Sequence, residues 1–162
     1  MNHRSPPEAL EPAIRNAVRA VIVRDEMVLM QKKWAEKRGA WYTLPGGGQD
    51  VHETLAQALI RECEEEIGAT VEIGALVWVA DFFKRRDTAF PSYRHVVEFL
   101  FACSLPESYR PNAGPHPDKH QIDVVWLPFS VFPDVELFPQ DLVHRLPALT
   151  RPDTPTYLGV ID

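Results

Sequence analysis

The stretch that most restricts how this chain can fold runs from Thr54 to Gly68. Its apolar residues Ala56, Leu59, Ile60, Cys63 and Ile67 recur at helical spacing and gather on one side. Gly68 stands where a left-handed glycine closes a helix. The helix ends in RECEEEIG, Arg61 to Gly68, with four glutamates and one arginine. At about 100° per residue, Glu62, Glu65 and Glu66 share a sector of roughly 100°, while Glu64 faces nearly the opposite way. Like charges three or four residues apart cost on the order of 0.2–0.5 kcal/mol per pair. The negative end of the helix dipole adds about 0.3–1 kcal/mol for each anion. A solvated face normally interleaves Lys or Arg, yet Ala58, Gly68 and Ala69 offer no positive charge to this sector. A divalent cation supplies it. Mg²⁺ prefers carboxylate oxygens and water, usually together with substrate phosphates.

Upstream, GGGQDVHE is a glycine-rich segment leading straight into this helix, where backbone can approach a ligand closely. Gly47, Glu53, Arg61, Glu62, Cys63, Glu65, Glu66, Gly68 and Ala69 stand in the register G-x5-E-x7-R-E-U-x-E-E-x-G-U. This resembles the box of the Nudix (MutT-like) hydrolases, over Gly47 to Ala69. Every charged and glycine position is matched. Cys63 and Ala69 replace larger aliphatics, His52 stands where a glycine is common, and Asp50 where a glutamate is common.

The resemblance implies an α+β fold, an α/β/α sandwich around a mixed β-sheet. It implies that Glu62, Glu65 and Glu66 bind Mg²⁺, for which Mn²⁺ can substitute, and that Gly46 lends its backbone carbonyl. It also implies that Arg61 pairs with Glu53 to brace loop against helix, a task suited to an arginine fork. The reaction implied is pyrophosphohydrolysis: water attacks one phosphorus of a nucleoside diphosphate linked to a group X, giving the monophosphate and P-X. Glu62 or Glu65 is expected to serve as base, with Glu98 a further candidate. Some members recruit a late carboxylate to the metal, and homodimers are common among them.

Glu98 also draws attention by itself, because alternation in RHVVEFLFAC puts it on the face of Val96, Leu100 and Ala102. A carboxylate there is either at a sheet edge or desolvated at a site. Lys84, Arg85, Arg86 and Arg94 cluster around the polar segment KRRDTAFPSY, where Arg85, Arg86 and Arg94 are candidates for holding substrate phosphates. Trp34, Trp41, Tyr42, Phe82, Phe83 and Tyr93 are either core or stacking surfaces for a base. His52, His95 and His120 are not arranged as a zinc site.

Elsewhere, residues 1–12 read as a loose lead-in with three prolines and 13–162 as one domain. AVRAVIV and MVLMQKK read as a strand pair joined at Arg24-Asp25-Glu26. ATVEIGALVWVADFF, RHVVEFLFACSL and IDVVWL read as further strands. Ten of the fifteen prolines follow Leu105, first in the loop LPESYRPNAGPHPDKH. Phe138 to Leu149 is expected to form a terminal helix bent or ended by Pro147.

The length of 162 residues suits a single core, and a net charge of -6 argues against DNA or anionic membrane as partner. It equally disfavours a hydrolase of capped RNA ends, which wants an extended basic surface. Two cysteines lie in apolar segments without ligand spacing, and the first dozen residues lack an apolar signal core. A cytoplasmic protein acting on a small nucleotide is the expectation. A non-catalytic nucleotide-sensing module is the alternative, and such modules tend to lose the box carboxylates that are all present here.

Overall fold

The computed structural model describes residues 5–86, 88–151 and 153–162. The first four residues of the expected lead-in, Asp87 of the polar segment, and Pro152 lie outside that set. The elements are β1 (Leu10–Val21), β2 (Val23–Arg24), β3 (Met27–Ala35), β4 (Gly39–Thr43), β5 (Gly46–Gly48), α1 (Leu55–Ile67), β6 (Glu72–Arg86), β7 (Ser92–Ser104), β8 (Gln121–Pro128), α2 (Leu142–Arg145) and β9 (Tyr157–Ile161). A mixed five-stranded sheet runs β5-β1-β7-β6-β9, and β2, β3, β4 and β8 form a second sheet.

The runs AVRAVIV and MVLMQKK do not pair as a long hairpin. β1 runs parallel to β7, whereas β3 pairs antiparallel with β4 and β8. The chain passes between sheets at Ile22, and only Val23 and Arg24 turn back on β3 through Asp25 and Glu26, both at positive φ. Two-residue hairpin turns need that backbone. β1 also begins inside the expected lead-in, where Leu10 pairs with Tyr93.

Alternation along β1 sorts the core. Val18, Ala20 and Ile22 face a cluster with Leu59, Cys63 and Ile67 of α1, while Ala17 and Val21 face a second cluster closed by Phe132, Leu142 and Leu146. Helical segments therefore cover opposite faces of β1, which is the layered arrangement the motif implies. The expected terminal helix is only the four-residue α2 plus a 3-10 turn over Leu146–Ala148, because Pro147 interrupts it. Among the described residues no helix is long and apolar enough to cross a membrane.

α1 is well specified at both ends. Thr54 and Gln57 form a reciprocal capping box, and Gly68 closes the helix at φ 63°. Its buried face is rotated from the one read off the sequence: Ala56 is exposed, and Ala58 and Glu66 are buried. That rotation turns an acidic residue inward and builds the site.

Candidate active site

The three glycines after Pro45 form a side-chain-free edge strand, β5, paired with β1 through Arg19↔Gly46, Val18↔Gly47 and Ala17↔Gly48. At Gly46, φ is 134° and an added methyl would overlap the Val18 carbonyl oxygen. At Gly47, an added Cβ would lie 2.7 Å from the Glu62 carboxylate. The glycines therefore let α1 lay its acids directly on the strand.

Glu66 is 3% exposed, and its Oε2 accepts from the Gly46 N–H at 2.8 Å and from the Gln31 side-chain amide. Burial pushes its carboxyl up to about 8, against the Gly46 hydrogen bond and the charge of Arg19. Burial also raises Glu62, with Arg61 opposing. Arg61 grips Glu53 through Nε at 2.5 Å and Nη2 at 3.0 Å, and its Nη1 donates to Glu62 at 2.8 Å and to Glu65 at 3.5 Å. The Arg61 bonds, then the Asp50 N–H, lower Glu53 to about 2. The acidic face is thus less bare of positive charge than counting at i+4 suggests, because one arginine fork reaches carboxylates on both sides of it.

The proline-rich loop after Leu105 does further electrostatic work. Gly114 N–H and the Gln121 side-chain amide donate to the Glu66 carbonyl at 3.1 and 2.8 Å. His116 N–H donates to the Glu65 carbonyl at 2.9 Å and Tyr109 Oη to the Ile67 carbonyl at 2.8 Å. These donors satisfy the last carbonyls of α1 and offset the dipole end where the glutamates crowd.

Glu98 lies on β7, a strand flanked by β1 and β6, so the sheet-edge alternative is removed. It is 4% exposed and held by Arg19, whose Nε and Nη2 donate to it at 3.0 and 3.3 Å. The third nitrogen, Nη1, donates to the Gly46 carbonyl at 2.7 Å. Burial works against the charge of Arg19, and Glu98 outweighs it, so the guanidinium stays ionised. Gly46 thereby joins two faces of the sheet: its N–H donates to Glu66 of α1, and its carbonyl accepts from Arg19, which also holds Glu98.

Arg19 and Glu98 open into a cleft of about 900 Å³. Lys33 and Lys84 line it, as do Trp41, Phe82, Phe83 and Tyr93. Lys33 is paired with Asp118. Among the aromatic candidates, Trp34 stands exposed outside this cleft. Lys84, Arg85, Arg86 and Arg94 sit on paired strands rather than in a loop, since β6 and β7 continue through Lys84↔Arg94 and Arg86↔Ser92. Arg85 lines the cleft, whereas Arg94 and Arg86 are drawn to Glu11 of β1, at 2.9 and 3.7 Å. Sequence reasoning missed Arg19, Gln31 and Lys33. The available signal was a charged or amide residue in an otherwise apolar strand, at Arg19 of AVRAVIV and Gln31 of MVLMQKK.

The family model described as NUDIX domain matches residues 13–146. The chain belongs to the Nudix hydrolase family. A human Nudix protein named 8-oxo-dGDP phosphatase NUDT18 is 31% identical over 126 residues, 75% of this chain and 33% of that protein. This chain therefore spans about a third of that relative's length. A Mycobacterium tuberculosis protein named putative 8-oxo-dGTP diphosphatase 3 is 45% identical over 47 residues, 28% of this chain and 21% of the other. Among solved structures, a MutT Nudix hydrolase from Burkholderia pseudomallei is 28% identical with TM-score 0.53, covering 73% of this chain and 85% of its own. A Nudix hydrolase from Nitrosomonas europaea, 23% identical, shares the fold with TM-score 0.63 over 91% of this chain and 78% of its own.

Nudix hydrolases generally use divalent metal ions, and the donor set suits one. Glu62, Glu65, Glu66 and the Gly46 carbonyl are hard oxygen donors at one seam, and the missing Cβ at Gly47 leaves room beside Glu62. Among the described residues no three acidic, histidine or cysteine side chains converge on one point. Two guanidiniums already occupy the acceptors: Arg61 holds Glu62 and Glu65, and Arg19 holds Gly46 and Glu98. They supply positive charge to the acidic face.

Proposed function

We propose that this Nudix chain is a Mg²⁺-dependent pyrophosphohydrolase that cleaves the diphosphate of a nucleoside diphosphate derivative at the seam of α1 and β5, with the nucleotide in the adjoining cleft. The observation that carries this reading is the continuity at Gly46. Its backbone joins the α1 carboxylates to a cleft walled by Arg19, Lys33 and Lys84, so an acidic, metal-suited surface borders a cationic, anion-suited one.

Glu62, Glu65, Glu66 and the Gly46 carbonyl would hold the metal. When bound, the metal lowers the pKa of water and neutralises charge on the transferring phosphorus centre. The chain's own residues do the rest. Glu53 and Arg61 hold the loop so that Glu62 lies against Gly47. The cations of the cleft wall pull the diphosphate toward the seam. Glu65, the most exposed of the three acids, would accept the proton of an attacking water, with Glu62 beside it. Aromatic side chains at Trp41, Phe83 and Tyr93 give the nucleoside a surface.

The names of the relatives put 8-oxo-dGDP and 8-oxo-dGTP first among compounds to assay, and ADP-ribose and a sugar nucleotide extend the panel to other nucleoside diphosphate derivatives. Product release should be Mg²⁺-dependent on at least one, and Glu65→Gln or Glu66→Gln should remove it. Tight metal-dependent binding without product would instead favour the sensing module. Absence of both binding and turnover across the panel would overturn the reading.

A further inference from the structure

We propose that Arg19 is a latch displaced by the metal. In the metal-free protein its guanidinium holds the Gly46 carbonyl and Glu98, and when a divalent cation takes that carbonyl, Arg19 turns into the cleft and binds a substrate phosphate. The inference rests on the reading of the α1–β5 seam as a metal site.

The geometry that points to it is the way one side chain spends its donors. Nη1 donates to Gly46 O at 2.7 Å, Nε to Glu98 Oε2 at 3.0 Å, and Nη2 to Glu98 Oε1 at 3.3 Å. Three oxygen acceptors on two residues, one of them the glycine whose N–H is bound to Glu66 of α1, are thus all filled by a single cation. A guanidinium and a divalent ion on the same carbonyl repel each other, so occupancy by one disfavours the other.

Release does not leave Arg19 without a place to go. Its side chain is 25% exposed and lines the cleft. On the same face of β1 its neighbours at i±2 are Ala17 and Val21, and its β5 partner is a glycine, so little side-chain bulk confines it. The wall it would turn toward already carries Lys33, tied to Asp118, and Lys84, which makes no hydrogen bond or ion pair among the described residues. The cleft lining holds more cations than its three carboxylates, Glu98, Asp118 and Asp162, and a diphosphate balances the surplus. Glu98, freed from its fork, becomes available to the metal side.

The test measures Mn²⁺ affinity of the metal-free full chain by paramagnetic titration, without nucleotide, for wild type, Arg19→Met and Arg19→Lys. Affinity for the non-hydrolysable diphosphate methylenediphosphonate is then measured at saturating Mn²⁺. Arg19→Met should bind Mn²⁺ about tenfold more tightly, the worth of one charge-assisted hydrogen bond, and the diphosphate about tenfold more weakly. Its melting temperature should fall in chelator and recover with Mn²⁺. Arg19→Lys, which keeps the charge without the fork, should lie between, and it carries the test in the same direction if the Met variant does not fold. Wild-type Mn²⁺ binding with unchanged or weaker binding in the variants overturns the latch and leaves the metal site standing. No Mn²⁺ binding by the wild type removes the metal site and the latch with it.

Discussion

The backbone N–H of Gly46 donates to Oε2 of Glu66 at 2.8 Å, tying an edge strand without side chains to a helix glutamate that is 3% exposed. The carbonyl of the same glycine is held by Arg19. Every hydrogen bond that the described residues give the Glu66 carboxylate falls on Oε2, from Gly46 and Gln31. The other oxygen is left to a proton or to a cation.

A pH dependence follows with a definite sign. Burial raises the Glu66 carboxyl from its ordinary value of 4.5 to about 8. The folded chain therefore holds that proton more tightly than the unfolded chain. The stabilisation is complete below about 4.5 and is lost as pH rises through about 8, each unit of separation being worth about 1.4 kcal/mol. Metal-free protein should melt at progressively lower temperature from pH 5 to 9. Glu66→Gln, which cannot ionise, should flatten that slope, and parallel profiles for the two proteins would contradict the assignment.

Gly47 and Gly48 should respond very differently to a single methyl. A Cβ at Gly47 would stand 2.7 Å from the Glu62 carboxylate, whereas a Cβ at Gly48 meets only Arg15 Nη2, at 3.9 Å. Gly47→Ala should displace Glu62, lower turnover by about 100-fold or more and weaken Mn²⁺ binding, because an ångström of misplacement at a reacting centre costs that much. Gly48→Ala should keep activity within a few-fold. Steady-state kinetics and a Mn²⁺ titration on both variants check this; equal losses would show that the effect is backbone stiffening and not contact with Glu62.

These contrasts also show what the sequence could disclose. Contiguous information survived: the helix, its closing Gly68, the acidic sector and the glycines were all readable, because each depends on spacing within about twenty residues. Contacts made by sheet topology were not. Arg19 meets Glu98 only because β1 lies parallel to β7, a pairing that joins residues seventy-nine positions apart and that alternation cannot reveal. Residues 10–12 fall in the lead-in read as loose for its prolines, yet β1 begins there because β7 offers it a pairing edge. The five-residue β9 is too short and glycine-interrupted to announce itself, and it forms by pairing with β6. Arg86 and Arg94 illustrate the same limit, since Glu11, which claims both, comes from the segment expected to be loose.

The loop after Leu105 should act on α1 through its backbone donors. A methyl at Gly114 would overlap the carbonyl oxygens of Glu64 and Glu65, so Gly114→Ala must push the loop off the helix end. An expected loss of about 1–3 kcal/mol follows, typical of overpacking. Tyr109→Phe removes the hydroxyl that donates to the Ile67 carbonyl and should cost about 0.5–1.5 kcal/mol. Urea denaturation measures both, and a Gly114→Ala protein as stable as wild type would show that the loop does not cap the helix.

The pairing of Arg61 with Glu53 gives the last prediction, and it separates geometry from charge. Arg61 reaches Glu53 with two nitrogens while a third donates to Glu62, and Nη2 also meets the Gly48 carbonyl at 3.0 Å. Lysine carries the same charge but cannot present that planar fork. If Arg61 merely neutralised the acidic face, Arg61→Lys would be nearly silent. If it positions Glu62 and β5 for the metal, Arg61→Lys should lower turnover or metal affinity by roughly 10–100-fold, the usual cost of losing a residue that orients ligands. Glu53→Gln should cause a similar loss, and the double variant should lose little more than either alone, because both substitutions break one unit. Mg²⁺ titration of turnover on the three variants decides it. Additive losses would mean that the two residues act separately and that the loop is held by something else.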